Sequence, residues 1–496
     1  MRPHCFVLGV GYGQLMQRSE STFRLLTPCW VSAAILAAVL AFAAYRAVTQ
    51  SLTIDESTTF NLYVKDAPHA LFALDTYRAN HHVLHSIAAW MSVSLFGFAE
   101  WSLRLPALLG GLLFMFASLR VLRRLVGDSW LLPLSCAAIW LNPIVLDHLV
   151  KARGYGMALG FSTLALHGLM GWRSSGEAST IKLGRISIWI GLAVASNMVF
   201  AVWGGALLLA TWVVSMCLHD RWRPIHFLVA VLPGALLAGA IVGVPLMKMQ
   251  NLRYGATSWS ECLRSLVDST LHHSSESWSE GVLMALGVGV LLLLALAAIV
   301  NRKDLADGRL ICFFALISAC LAYAVARLFV SELRLPLHRT GLSLIVGMTF
   351  TMAAFARPPV DRSSAGKWCA RALTAVLIVL VFSHCSELSA SRFQSGGHDA
   401  SARAVFDRLH ELHEESDRTR PLSVGVFGWF YDSTLNAYRH MDSAEWLLPV
   451  KREGLIPSID HDFYVVADEV WHRARPFCEV IERYPGAQTR LVRWSR

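Results

Sequence analysis

The sequence predicts an all-α polytopic membrane protein of about eleven transmembrane helices, closed by a small α/β domain outside the membrane. Three observations lead there. Hydrophobic residues make up 55% of the 496-residue chain and charged ones only 16%, too little charge for the surface of a soluble protein of that length. Apolar runs of roughly 18–22 residues recur, each long enough for a bilayer core of about 30 Å. The charge is also divided. From Glu387 onward 14 Lys and Arg face 17 Asp and Glu, a net −3, so the first 386 residues carry +12. Cytoplasmic loops of membrane proteins collect Lys and Arg, and no basic cluster interleaved with aromatics points to nucleic acid.

Residues 1–29 read as a cytoplasmic leader, and Trp30–Val48, following Arg18 and Arg24, as a retained signal anchor that runs outward. Val83–Phe98 is apolar but only about 16 residues long, short for a span. Laid along the interface, it leaves Arg120, Arg123 and Arg124 inside after the next crossing. Residues 49–101 then form one long external loop. Crossings follow at Ser102–Leu122, Trp130–Leu146 and Gly154–Trp172, with Asp147, His148, Lys151 and Arg153 in an external turn. Ile186–Cys217 is too long for one untilted span and carries Ser196-Asn197 near its middle, so it reads as two short crossings. Phe227–Met247, Val282–Val300, Leu310–Val330, Gly341–Phe355 and Trp368–Ser386 complete a membrane domain of residues 30–386. This layout keeps Arg221, Arg223, Arg309 and Arg357 inside and puts Lys248–Gly281 and Ser331–Arg339 outside. In the external domain, residues 387–496, apolar spacing predicts helices at Ala402–Glu415 and Trp471–Arg483. Strands are expected at Leu422–Phe427 and Asp462–Val466.

The external loop concentrates the chemistry. Asp55 and Glu56 lie in Thr53-Ile54-Asp55-Glu56-Ser57 at a helix exit. Partial burial raises the pKa of such a carboxylate and suits it to act as a general base. The competing reading is a helix-end carboxylate paired with an arginine or simply hydrated. Asn80, His81, His82 and His85 form a second group. On a helix starting near His81, His82 and His85 share a face, able to meet a phosphate or a sugar hydroxyl, or merely to sit at the interface as amphipathic side chains. Arg104, ahead of Pro106 at the head of a span, either neutralises an anionic lipid or snorkels. Arg153 and Tyr155, in Lys151-Ala152-Arg153-Gly154-Tyr155, and Arg339 fall on the external side, where basic residues are disfavoured. A guanidinium there can hold a leaving phosphate. Glu261, His272, His273 and Glu276, in a second external loop, either shape an acceptor site or are solvated. The ten cysteines show no paired spacing, and no ligand set reads as a metal site.

Several of these segments come in a telling order. The Asp-Glu pair after the first span precedes the Asn80-His81 loop and an apolar interfacial helix. Then come Phe96-Gly97-Phe98-Ala99-Glu100-Trp101-Ser102-Leu103-Arg104-Leu105-Pro106 and Ala152-Arg153-Gly154-Tyr155. Together they resemble the membrane glycosyltransferases of GT-C fold. The matching subgroup is the bacterial, glycosyltransferase family 39-like one related to protein O-mannosyltransferases and the lipid A aminoarabinose transferase. The resemblance spans Trp30 to Trp172. It implies an inverting transfer of a sugar from a polyprenyl-phosphate donor to a lipid, glycan or protein hydroxyl. The transfer would take place on the periplasmic face of the cytoplasmic membrane, with no required cofactor and a divalent cation left open. Asp55 would be the general base, beside Glu56. Glu56, Asn80, His81, His82 and Tyr155 would line the site, and Arg153, Arg104 and Arg339 would steady the phosphate. Two departures stand out. Relatives often carry His-Pro or Lys-Pro-Pro where this chain has His81-His82, and Ser196-Asn197-Met198 lacks the histidine and tyrosine of many relatives. The alternative is a transporter or flippase for lipid-linked saccharides. It accounts for the spans but not for the long loop or the external domain, and it would place ionisable residues in mid-span.

Overall fold

The computed structural model describes residues 11–495, except 73–76, 79–80, 175–179, 218–223, 251–253, 272–277, 302–306, 330–333, 359–362, 395–396, 417–419, 429–430 and 454–460. Helix α1 (Gly11–Thr49) contains the first span, Thr27–Thr49. Thr53 then caps the short α2 (Ile54–Thr59), which runs straight into a π-helical turn, Phe60–Val64. The turn α3 (His69–Phe72) and the two-residue strand β1 (Tyr77–Arg78) lead to α4 (Val83–Phe96). The 14 residues of α4 reach about 21 Å, short of the bilayer core of about 30 Å.

Next come α5 (Glu100–Val126), α6 (Leu131–Trp140) and α7 (Pro143–Val150). They are followed by α8 (Tyr155–Ser174), α9 (Thr180–Ser196), α10 (Phe200–Cys217) and α11 (Pro224–Met247). After the short strand β2 (Met249–Gln250), which pairs with β1, the chain forms α12 (Trp259–Leu271) and α13 (Glu280–Val300). Helices α14 (Asp307–Phe329), α15 (Leu342–Ala356) and α16 (Ser364–Ser386) complete the bundle. Among the described residues seven helices are long and apolar enough to cross a membrane, and an eighth counts if the bent pair α6–α7 is one span. The chain is therefore a multi-pass membrane protein, but the count of about eleven is not reached. The shortfall lies at α8, α9 and α10, which form where expected without meeting that measure.

Two local breaks position the site. The long apolar run does divide at Ser196-Asn197, where the Asn197 side chain accepts from the Val199 N–H. The span expected to end at Leu146 instead bends by 63° between α6 and α7. Pro143 has no N–H to continue the helix, and Asn142 restarts it by accepting from the Val145 N–H. Asp147 and His148 thus lie buried on α7 and not in an external turn. The bundle core is apolar and continuous through Phe114, Trp140, Leu149, Leu169 and Phe350.

The C-terminal part carries α17 (Ala402–Glu415) and α18 (Tyr431–Met441) on a mixed sheet. Its strands are β3 (Val424–Phe427), β4 (Lys451–Arg452), β5 (Phe463–Ala467), β6 (Cys478–Tyr484) and β7 (Thr489–Trp494), in the order β4-β3-β5-β7-β6. β3 runs parallel to β4 and β5, while β7 is antiparallel to β5 and β6. The helix expected over Trp471–Arg483 is a correction: Trp471–Ala474 is α-helical, Arg475–Phe477 is a 3-10 turn, and Cys478–Tyr484 is strand. Pro476 falls in the 3-10 turn that ends this helix, and the adjacent β-branched Val480 and Ile481 suit a strand paired with β7. This part does not close on itself. Val405, Phe406, Leu435 and Tyr438 pack in one core with Leu52, Phe60, Val64, Ala89 and Leu103.

Candidate active site

Helix α2 sets two neighbouring carboxylates on different faces. Thr53 and Glu56 close a capping box, each side chain accepting from the other's backbone N–H. Glu56 then meets Arg104 of α5 in a bidentate pair, Nε to Oε1 at 2.8 Å and Nη2 to Oε2 at 2.9 Å, with both side chains 0% exposed. The Ala152 N–H donates to Oε1 at 2.7 Å. Arg104 spends its other donors on the carbonyls of Ala47, Gln50 and Ser51. Burial opposes the Glu56 charge, but Arg104 and these donors outweigh it and hold the carboxyl well below its ordinary range. Neither side chain presents an atom to a ligand, so the expected phosphate contact by Arg104 and the expected lining by Glu56 are not what the fold provides. The pair instead ties α2 to α1, α5 and the α7–α8 turn.

Asp55 is half-buried, its side chain 29% exposed, and ion-paired with Arg153 and with Arg339, the latter at 3.0 Å. Burial works against its charge, yet Arg153, Arg339 and Lys151 together lower its pKa to about 2. The upward shift expected from burial alone is thus overturned by three cations that converge from distant segments. Arg153 sits in the tight turn between α7 and α8, its own N–H donating to the Lys151 carbonyl at 2.6 Å. Gly154 permits that turn to press on the α9 terminus, because a Cβ there would overlap the Ser196 carbonyl. Arg339 follows His338, whose φ of 45° lies in the left-handed region. Its guanidinium lies 4.9 Å from the Tyr254 ring centroid.

His82 supports this group from behind. Its Nε2 lies 3.1 Å from Arg153 Nη2, and since a guanidinium only donates, that nitrogen accepts and the ring is neutral. Burial, then Arg153, holds its pKa well below the ordinary value. Tyr155 stands edge-on to His82 at 5.6 Å and under Arg153 at 5.8 Å. His81 lies elsewhere: it is stacked between Tyr63 and Tyr77 at 4.0 and 4.9 Å, buried, with neither ring nitrogen bonded. It offers nothing to a phosphate, which corrects its expected role. Asn80, His272, His273 and Glu276 lie outside the described residues. Sequence reasoning passed over Lys151, Tyr254 and, from the C-terminal part, Phe393 and Asp399. Only Lys151 left a signal, as a lysine in an external turn.

No protein-family model matches the chain, and no curated protein does. Solved structures do. ArnT from Cupriavidus metallidurans in the apo state superposes with a TM-score of 0.51 at 16% identity, covering 93% of this chain and 97% of that one. The same protein bound to undecaprenyl phosphate gives 0.48 at 15% identity over 94% and 98%. The arabinofuranosyltransferase AftD from Mycobacteria gives 0.49 at 14% identity, over 95% of this chain but 40% of that one. At such identities the apo ArnT likeness carries the fold alone, and the fold of this chain is the GT-C fold that its sequence resembles.

Proposed function

We propose that this chain is a membrane glycosyltransferase that moves a sugar from a polyprenyl-phosphate donor to a hydroxyl acceptor at the outer face of the cytoplasmic membrane. Residues 30–386 would form the catalytic domain, and 387–496 a periplasmic domain docked on it. The observation that carries this reading is one half-exposed carboxylate, Asp55, held between Arg153 and Arg339 with Lys151 alongside. The group has more positive than negative charge, which suits it to the singly charged phosphodiester of the donor and to the second negative charge that develops on the phosphate as it leaves. A donor phosphate entering it competes with Asp55 for both guanidiniums. Asp55 then loses the charges that depress its pKa and becomes a stronger base. It takes the proton of the acceptor hydroxyl as the oxygen bonds to the anomeric carbon and the bond to the phosphate oxygen breaks. The leaving phosphate stays on Arg153 and Arg339. A single displacement of this kind inverts the anomeric centre. Glu56 and Arg104 position α2, and His82 and Tyr155 orient Arg153.

The test is transfer from a panel of undecaprenyl-phosphate-linked sugars by the full chain in lipid nanodiscs. Asp55→Asn, folded and inserted, is expected to lower the rate by about 10²–10⁴-fold. An Asp55→Asn protein that works at the native rate sinks the mechanism.

A further inference from the structure

The segment joining α16 to α17 lies across the start of α2. The Ala390 carbonyl accepts from Gln50 Nε2 at 3.0 Å, the Arg392 carbonyl from Arg46 Nη2 at 3.2 Å, and the Ala400 carbonyl from Ser51 Oγ at 3.0 Å. Phe393 is buried between them, its ring centroid 4.7 Å from Arg46, 5.3 Å from Arg104 and 4.8 Å from Lys151. At the far end, Asp399 is 3% exposed. Its Oδ2 accepts from the Ile54 N–H at 2.9 Å, one residue before Asp55, while its Oδ1 is buried with no hydrogen-bond partner. A half-satisfied carboxylate at this depth is costly, and a neutral amide would serve the Ile54 N–H as well.

We propose that Asp399 is a positioning residue for Asp55. It holds the first turn of α2 through the Ile54 N–H, and its own charge, felt by Lys151, Asp55 and Glu56, tunes how firmly the group around Asp55 holds an anion. This rests on the reading of those residues given above. The titratable groups around it are Asp55 and Glu56 on α2, Lys151 from the α7–α8 turn, and Tyr431 on α18, whose hydroxyl donates to the His398 carbonyl. Burial, reinforced by Asp55 and Glu56, outweighs the Ile54 N–H and Lys151 and pushes the Asp399 carboxyl up to about 7. Below that pH it is neutral and leaves the cations to an anion. Above it, a further negative charge stands beside them and weakens the hold.

The experiment measures undecaprenyl phosphate binding to the full chain in nanodiscs from pH 6 to 8.5, for wild type and Asp399→Asn. The phosphate's own ionisation is common to both and cancels in their ratio. The affinity of Asp399→Asn relative to wild type is expected to rise about 3- to 30-fold across that range, with a melting temperature no lower than that of wild type, since the variant no longer buries a charge. A flat ratio overturns the proposal. Asp399→Ser, a smaller neutral acceptor, repeats the test should the amide fold poorly. Failure of both neutral variants to fold would make Asp399 a purely structural residue and overturn it equally. Arg153→Ala separates the two readings. If it binds undecaprenyl phosphate like wild type, the functional reading falls too; if it binds weakly while the ratio is flat, the Asp399 proposal falls alone.

Discussion

Asp55 and Glu56 are consecutive on one short helix, yet the two faces of α2 put nearly the same chemistry to different uses. On one face every Glu56 acceptor is taken by Arg104, Ala152 and Thr53, out of reach of solvent. On the other, Asp55 is partly exposed and is paired with the buried Arg153 and the partly exposed Arg339. Burial alone does not decide between structure and chemistry. A carboxylate whose bonds are all fixed becomes a strut. One whose partners can change hands stays available to react.

The largest effect should come from breaking the strut. Glu56→Gln or Arg104→Met leaves a buried charge unpaired and is expected to cost about 3–5 kcal/mol of stability. Thermal unfolding in detergent checks this, and a melting temperature within a degree of wild type would refute it. Next come the cations on the open face. Arg153, buried and carrying both Asp55 and His82 contacts, should lose about 10- to 100-fold in undecaprenyl phosphate affinity as Arg153→Ala, from about 1.5–3 kcal/mol per charged hydrogen bond. The more exposed Arg339 should lose less as Arg339→Ala, and isothermal titration ranks the two.

pH sharpens the contrast further. The depressed Asp55 pKa gives stability that is complete above the unfolded value near 3.9 and is lost as pH falls toward 2. On acidification from pH 4 toward 2, Asp55→Asn should therefore lose less stability than wild type. His81 behaves oppositely in mechanism. Burial lowers its pKa to about 4, so between 6.5 and 4 the unfolded chain binds the extra proton and stability falls on acidification. His81→Phe should remove that share of the acid loss and change stability at pH 7.5 by less than about 1 kcal/mol, the smallest effect of the set, because the stack between Tyr63 and Tyr77 takes a phenyl ring.

Much of this was legible residue by residue. The layout read from the sequence puts Arg153 and Arg339 outside, against the usual charge bias, and the structure brings both to Asp55, the acid at a helix exit. The helix at Ala402–Glu415 followed from its spacing. What stayed hidden depends on partners far along the chain. Glu56 finds Arg104 48 positions away, and that partner alone converts a candidate reactive group into a strut. His81 reads as a ligand until Tyr63 and Tyr77 close on it. The same blindness applies to the Asp55 pKa, whose direction depends on residues about 100 and 284 positions away, well outside any local window. Within β6, two β-branched residues and a flanking proline were the signal that should have outweighed helical spacing.

The clamps on residues 51–54 have a consequence in time. Ser51 meets Ala400, Ile54 meets Asp399 and Leu52 meets Tyr438, separations of 349, 345 and 386 positions. A ribosome adding about 5–20 residues per second leaves the Asp55 helix without these neighbours for on the order of 20–70 s after it is made. The turn that carries Asp55 is therefore fixed only once the chain has been translated past Tyr438 and has folded back onto its beginning. A chain cut short before residue 399 would lack the contacts that fix the first turn of α2, whichever of its membrane helices had formed.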